Sequence, residues 1–383
     1  MYRTALYPIY QEYQGKLVEF AGYEMPAQYD SGVKGEHLWC REHAGLFDVS
    51  HMGQAWLVAQ SGSQVDALAA MEELVGADLQ ALSPGKQQYT QLLNDRGGIL
   101  DDLIITRCEK YSDRLYTVVN AACKERDFAY IEEKLAGRVR LEHLEERALI
   151  ALQGPEAVSV AQKYFPGVEQ QSFMTWQIFA WNVPPASAAL EAAKVEVYIS
   201  RSGYTGEDGV EISVPNEYAL TLARLLLAEP AVKPMGLGAR DSLRLEAGLC
   251  LYGADMDETT SPIEAGLQWS IGKRRRTAGA DNFAGAEVIL RQITERPSRK
   301  RVGLDIQGKA PCRAGVAVYG ENDEKLGEVC SGVLSPSLEK PIAMAYVKAS
   351  HIAIGTAVWL ELRGKRIPAK VCKMPFIAPK YAK

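Results

Sequence analysis

Over the first 250 residues, runs that alternate or are wholly apolar interleave with stretches of helical periodicity, and the order of elements occurs twice. Gly53–Ala59 (GQAWLVA) alternates as a strand, and Ser61-Gly62-Ser63 leads into a helical pattern from Gln64 to about Met71. An apolar run, Ile99–Thr106 (ILDDLIIT), follows. Then come a polar turn near Lys110–Arg114, a β-rich run over Leu115–Asn120 and a helix over Lys124–Leu135. The second passage restarts at Ala148–Gln153 (ALIALQ), with Gly154-Pro155 before a helix over Glu156–Tyr164. Val195–Ser200 and Val210–Val214 flank a glycine-rich corner, and a helix spans about Glu217–Leu227. Strand, helix, hairpin and helix thus recur, which predicts two α+β halves related by internal symmetry.

A further helix is predicted over Ala239–Leu251 from the apolar stripe of Leu243, Leu245, Ala247 and Leu249–Leu251. The stretch Lys273–Arg301 changes character, with Lys273-Arg274-Arg275-Arg276, Pro297 and Arg299-Lys300-Arg301, and reads as a basic connector. From Val302 onward, VGLDI, GVAVYG, KLGEVCSG, IAMAYV, AVWLEL and IPAKVCKM alternate with turns, as in a small all-β barrel or sandwich. The expected division is 1–275 (roughly 1–145 and 146–275, possibly interleaved), a connector at 276–301 and a β domain at 302–383.

Length and charge narrow the function classes. A chain of 383 residues exceeds a typical single domain, and 47% apolar beside 24% charged residues suits a soluble globular protein. A net charge of −5 offers no general attraction to nucleic acid or anionic membrane. No apolar stretch approaches the roughly 20 residues of a membrane helix. Leu220–Leu227 comes nearest and is broken by Arg224. The seven cysteines form no CxxC pair and the five histidines no metal-ligand spacing, so neither a disulfide framework nor a metal site is expected. The phosphate-loop, nucleophile-elbow and dinucleotide fingerprints are absent.

Three places carry candidate chemistry. Asp101-Asp102 interrupts GGILDDLIIT, and strand alternation sends the two carboxylates to opposite faces. A carboxylate on the apolar face is costly unless it binds something, although such a pair also occurs as a surface turn or cap. Gly97-Gly98 before it fits a close approach to a ligand or an ordinary turn. Ser202–Ile212 (SGYTGEDGVEI) combines a glycine-rich corner, the flat ring of Tyr204, and Glu211 within an apolar strand. Arg240-Asp241 follows Gly236-Leu237-Gly238 near a helix start, where a capping ion pair is the plain alternative.

At these places the chain resembles the glycine cleavage T-protein family. FDVSHM (Phe47–Met52), GGILDDLI (Gly97–Ile104), VVNAA (Val118–Ala122), ALQGP (Ala151–Pro155) and GYTGEDGVEI (Gly203–Ile212) carry the likeness. So do GLGARDSLRLEAGLCLYG (Gly236–Gly253), DMDE (Asp255–Glu258) and SGVLSPSL (Ser331–Leu338), in the family's order. The stretch LGARDSLRLEAGLCLYG and the run GKRRR are most similar to mitochondrial members, which implies the mitochondrial matrix.

The resemblance implies two pseudo-symmetric α+β domains plus a C-terminal all-β barrel, arranged as a cloverleaf around a folate channel. It implies transfer of the methylene of an aminomethyl group, carried on the dihydrolipoyl arm of H protein, to tetrahydrofolate as co-substrate. The products would be 5,10-methylenetetrahydrofolate, ammonia and dihydrolipoyl-H protein, with no metal or flavin and no nucleic-acid or membrane partner.

Carried over to this numbering, Asp102 is the catalytic carboxylate, and Glu211, Arg240 and Tyr381 are folate-binding. Met52, Tyr89, Asn120, Tyr204 and Trp269 are lining residues, each with core packing as its alternative. The basic run Lys273–Arg276 with Arg299–Arg301 is either a solvated surface or a docking patch for the carrier or a polyglutamate tail. The alternatives are a folate-dependent demethylase of the same fold and a non-catalytic folate-binding protein, the latter marked by a cysteine-bearing motif where this chain has SGYTGEDGVE. Folate-dependent dehydrogenases of dimethylglycine or sarcosine add an FAD domain with a GxGxxG, which has no counterpart here.

Overall fold

The structure, a computed structural model, describes residues 1–184 and 193–382. Its two open sheets have the same winding. In the first, strand Gly53–Ala59 and helix Gln64–Met71 are followed by strands Gln87–Leu93, Ile99–Arg107 and Arg114–Val119. Helix Lys124–Lys134 and strand Val139–His143 close the unit. Numbered along the unit, its five strands lie in the order second, third, fourth, first, fifth.

The second unit repeats this with strand Arg147–Gln153, helix Ala157–Ala161 and strands Trp176–Val183, Ala193–Ser200 and Gly209–Pro215. Helix Asn216–Leu227 and strand Val232–Met235 follow. The spatial order is the same, except that strand Ala44–Asp48 from the N-terminal segment lies between the first and fifth strands. Ala44–Asp48 pairs antiparallel with Arg147–Gln153 and parallel with Val232–Met235. A division near residue 145 therefore separates the two repeats but not the two sheets, because the chain's start completes the second one.

Each sheet buries one face under its own helices. Leu57, Leu103, Ile105, Leu115 and Val119 pack with Leu68, Phe128 and Ile131 in the first unit. Ile150, Leu152, Val197, Ile199, Val210 and Ile212 pack with Leu222 and Leu226 in the second, with Leu6 and Ile9 from the N-terminus. Complete burial of such side chains contributes about 1.5–3 kcal/mol each. The opposite faces meet each other through Phe47, Trp56, Tyr116, Val118, Leu149, Ala151, Trp176 and Tyr198. That meeting explains why Gly53–Ala59 is buried along its whole length although its pattern alternates.

The C-terminal strands form a closed six-stranded barrel in the order Arg299–Ile306, Lys340–Lys348, Lys325–Ser335, Ala317–Tyr319, Ala357–Leu362, Lys365–Cys372. Two expectations change. The connector at 276–301 contains helix Ala286–Glu295, whose Ile289 packs with Leu93 and Ile99, and the barrel already begins at Arg299. The helix expected over Ala239–Leu251 spans Leu237–Glu246 and ends before Gly248, whose φ of +68° is a left-handed stop.

Candidate functional site

Alternation along Ile99–Arg107 separates the two acids. Asp101 shares its face with Leu103 and Ile105 and has 0% exposure, whereas Asp102 shares its face with Ile104 and is half-buried towards the second sheet. Across the ladder, Asp102 lies opposite Gln91 and Ile104 opposite Tyr89, so both partners join this face. Asn120, just beyond strand Arg114–Val119, ties the acids together. Its backbone N–H and Nδ2 each donate to Asp101 at 2.9 Å, and Nδ2 also reaches Asp102 Oδ1 at 2.7 Å.

From the second sheet, Glu211 turns into the same inter-sheet space. A narrow crevice with room for about one water, roughly 10 Å³, lies between Ile104, Tyr116 and Val118 on one side and Leu149, Tyr198 and Glu211 on the other. Two larger surface clefts, around Phe283 with Lys134 and around Arg138 with Asp66, lie behind the first sheet among its helices. Glu211 Oε2 accepts a 3.3 Å hydrogen bond from Ser202 Oγ. The Arg240 guanidinium sits 4.8 Å above the Tyr204 ring, and among the described residues it donates no side-chain hydrogen bond, leaving a fork of donors for a ligand. The Tyr204 hydroxyl donates to the Cys250 carbonyl.

Charges in this space act on one another. Burial pushes Asp102 up to about 7, with the Asp101 charge adding to the rise, while Tyr89 and Asn120 favour the carboxylate. Burial likewise raises Glu211, opposed by Arg240 and Ser202. Tyr204 lies in the fields of both Asp102 and Arg240, which links the acid on the first sheet to the guanidinium on helix Leu237–Glu246. His51, from FDVSHM, is held down at about 3 by burial and then by Arg240 and Lys124. Its Nδ1 is buried without a partner, as is Gln91 Nε2 opposite Asp102. Neither residue was expected at the site. The pairing register would have pointed to Gln91, and the buried, cation-facing His51 carried no signal in one dimension.

The remaining candidates divide. Tyr89 faces the site and stacks on Trp269 at 5.5 Å and 23°, but Trp269 is 63% exposed and sits at the margin as an open ring. Met52 is partly buried against the aromatic cluster between the sheets. Tyr381 stacks on Phe173 at 4.1 Å and 10°, and its charged neighbours are Arg41 and Glu207, not Asp102, Glu211 or Arg240. Backbone N–H of Lys380 donates to the Gly206 carbonyl at 2.8 Å, so the tail is pinned to the Gly203–Gly209 corner.

The basic run is internal structure. Arg274 pairs with Glu72 at 2.5 Å and Asp78 at 2.8 Å, and Arg275, 1% exposed, donates to the Glu72 carbonyl and Asn282. Arg276 donates to backbone carbonyls of Gln268 and Ile271, Arg299 pairs with Glu264, and buried Arg301 donates to Ala265 O. Carboxylates and carbonyls of the same chain thus hold these guanidinium groups, while Lys273 of the same run is exposed. Gly98 is also corrected. A Cβ there would come 1.8 Å from the Glu258 carbonyl oxygen, so the close approach is to backbone, not to a ligand. Among the described residues, Asp101, Cys123 and Asp127 alone bring three potential metal donors within 4.8 Å of one another, all buried.

Comparison with known proteins decides the family. Residues 6–275 match the GCVT N-terminal domain, and residues 299–377 match the glycine cleavage T-protein C-terminal barrel domain. The chain belongs to the glycine cleavage T-protein family. A probable mitochondrial aminomethyltransferase of Schizosaccharomyces pombe is 43% identical, over 100% of this chain and 94% of its own length. The mitochondrial aminomethyltransferase of Gallus gallus is 45% identical over 99% of this chain and 93% of its own. The crystal structure of glycine cleavage system aminomethyltransferase T from Bartonella henselae superposes with a TM-score of 0.89 at 40% identity, covering 100% of this chain and 99% of that one.

Proposed function

We propose that this chain is a mitochondrial aminomethyltransferase that moves the methylene of an aminomethyl group, borne on the dihydrolipoyl arm of H protein, onto tetrahydrofolate. The observation that supports the reading is the convergence of Asp102 on the first sheet, Glu211 on the second and Arg240 on helix Leu237–Glu246, with the Tyr204 ring between the acid and the guanidinium. A pterin is flat, with amino N–H donors along one edge, and a carboxylate opposite those donors makes a charge-assisted pair. That is the role of Glu211. Arg240 offers its free N–H groups to folate oxygens, and Tyr204 a stacking face.

In the transfer, two C–N bonds form, to N5 and N10 of the folate, while the carbon's bonds to sulfur and to the amino nitrogen break. The protons lost from N5 and N10 end on ammonia and on the lipoyl thiol. The carbon keeps its oxidation level, so the step needs no redox partner. Positive charge builds on the aminomethyl carbon as its first leaving group departs, and the Asp102 carboxylate stabilises it in a space of low polarity. Holding N5 in line with the carbon supplies much of the remaining acceleration.

The test uses the full chain with tetrahydrofolate and aminomethyl-loaded H protein, following ammonia and 5,10-methylenetetrahydrofolate. Wild type releases both. Asp102→Ala and Asp102→Asn are expected to lose about 100-fold or more in kcat while still binding folate. Undiminished turnover in these variants would refute the role of Asp102.

A further inference from the structure

Asp127 is a buried acid for which the transfer has no direct use. It lies in the first turn of helix Lys124–Lys134 with 0% exposure, and neither of its carboxyl oxygens has an N–H or hydroxyl partner. Its neighbours are an Asp101 oxygen and Cys123 Sγ, mutually within 4.8 Å. The nearest cation, Arg126, has Nε 3.7 Å from Asp127 Oδ1. Arg126 is 44% exposed and turned towards Glu258 at 2.5 Å, the Tyr252 hydroxyl at 3.2 Å and the Leu100 carbonyl. Cys123 faces the pair as a thiol, since burial and both acids push it up to about 12.

Two ionised carboxyls cannot share such a space without a cation between them. Asp101 already accepts two hydrogen bonds from Asn120, which favour its charged form, and Asp127 accepts none. The proton therefore rests on Asp127. Burial, then the hydrogen bond and charge of Asp101, raise Asp127 well above the usual carboxylate range; Arg126 opposes and Asp102 adds to the rise. A proton on Asp127 gives it an O–H, and the Asp101 oxygen, within 4.8 Å, is the acceptor at hand.

We propose that protonated Asp127 is a positioning residue for the transfer: its hydrogen bond fixes Asp101, Asp101 fixes the Asn120 amide, and Asn120 Nδ2 aims the Asp102 carboxylate. The proposal rests on the reading of Asp102 given above. A chain of hydrogen bonds of this kind rigidifies only when every member is satisfied. It makes a specific demand, because position 127 must supply a donor and no charge.

The test compares Asp127→Asn, which keeps an N–H donor, with Asp127→Leu, which keeps volume and removes it, each in wild type and in Asp102→Ala. Folding and folate binding are checked in all of them. Asp127→Asn is expected to hold kcat within about threefold, and Asp127→Leu to lower it about 10- to 100-fold at unchanged folate KM. In the Asp102→Ala background, Asp127→Leu is expected to cost nothing further, because no carboxylate remains to be aimed. Equal damage from Asn and Leu, no damage from Leu, or the same loss in both backgrounds would overturn the proposal. Failure of the Asp102 reading shows separately, as an Asp102→Ala variant with full activity. If Asp127→Leu does not fold, infrared spectroscopy of carbon-13 aspartate-labelled wild type decides. A protonated carboxyl band at neutral pH that Asp127→Asn abolishes supports the assignment, and its absence refutes it.

Discussion

At the scale of single residues, the site combines cost with use. Asp102 is raised to about 7 first by burial and then by the charge of Asp101. A carboxylate whose folded value lies above its unfolded one loses stability as it ionises, so this position works against folding as pH rises from 3.8 towards 7. The catalytic role needs the ionised form, so kcat/KM of the free enzyme is expected to fall with unit slope below about pH 7. Asp101→Asn removes the second cause of the rise while leaving a hydrogen-bonding amide. Its acid limb should move to lower pH, measured as kcat/KM against pH with tetrahydrofolate and loaded carrier. A limb that stays in place would show that Asp101 does not set the protonation of its neighbour. In wild type, a bound cationic aminomethyl group lowers the same acid, so the limb in kcat should lie below that in kcat/KM.

At the scale of elements, the strand that carries the acids is held at its start by a backbone contact. Gly97 takes φ +78°, Asn94 Oδ1 accepts from the Arg96 and Gly98 N–H groups, and Ile99 N–H donates to Asp257 O at 3.1 Å. Gly98→Ala sets a methyl against the Glu258 carbonyl and forces the loop apart. We expect it to cost about 1–3 kcal/mol of stability and to lower kcat by displacing Asp102, read by thermal unfolding and steady-state kinetics. Unchanged values in both would mean that the loop gives way freely. The elements read from periodicity are present, Gln64–Met71 at its expected bounds and most others moved by a few residues, but strands Gln87–Leu93, Val139–His143, Trp176–Val183 and Val232–Met235 gave no readable pattern. The opposite facing of Asp101 and Asp102 followed from alternation alone. Several features were not legible, because they depend on contacts distant in sequence. Ala44–Asp48 enters the second sheet about 100 residues ahead of its partner strand, Gln91 opposes Asp102, and Arg274 and Arg275 turn to Glu72 and Asp78. A row of positive charges looks solvated in a sequence whether or not carboxylates await it elsewhere in the fold.

At the scale of the whole molecule, the barrel and the elements around the second sheet converge on Glu246, the last residue of helix Leu237–Glu246. It is fully buried. Its Oε2 faces His37 at 3.0 Å and accepts from Arg41 at 2.9 Å and Ser337 Oγ at 2.8 Å, and its Oε1 accepts from Ser335 Oγ and the Ser337 N–H. Arg41 continues to Glu207, and Glu207 to Lys380 of the tail, so one acid joins helix Gly32–Glu42, the Gly203–Gly209 corner, the barrel and the C-terminus. Burial alone would raise Glu246, but the hydrogen bond and charge of His37, with Ser335 and Arg41, outweigh it and hold the group at about 2. A folded value depressed from 4.5 to about 2 contributes stability that is complete above pH 4.5 and is lost as pH falls through about 2. The contribution is on the order of 3 kcal/mol. Glu246→Gln keeps the shape but removes the charge that faces His37 and Arg41, leaving Arg41 with Glu207 alone, so its penalty should be greatest near neutrality and shrink as acid removes the same interaction from wild type. Denaturant midpoints of the two proteins, measured from neutral pH downward, should therefore converge. Curves that stay parallel would mean that the ionised form of Glu246 does not tie helix Gly32–Glu42 to the barrel.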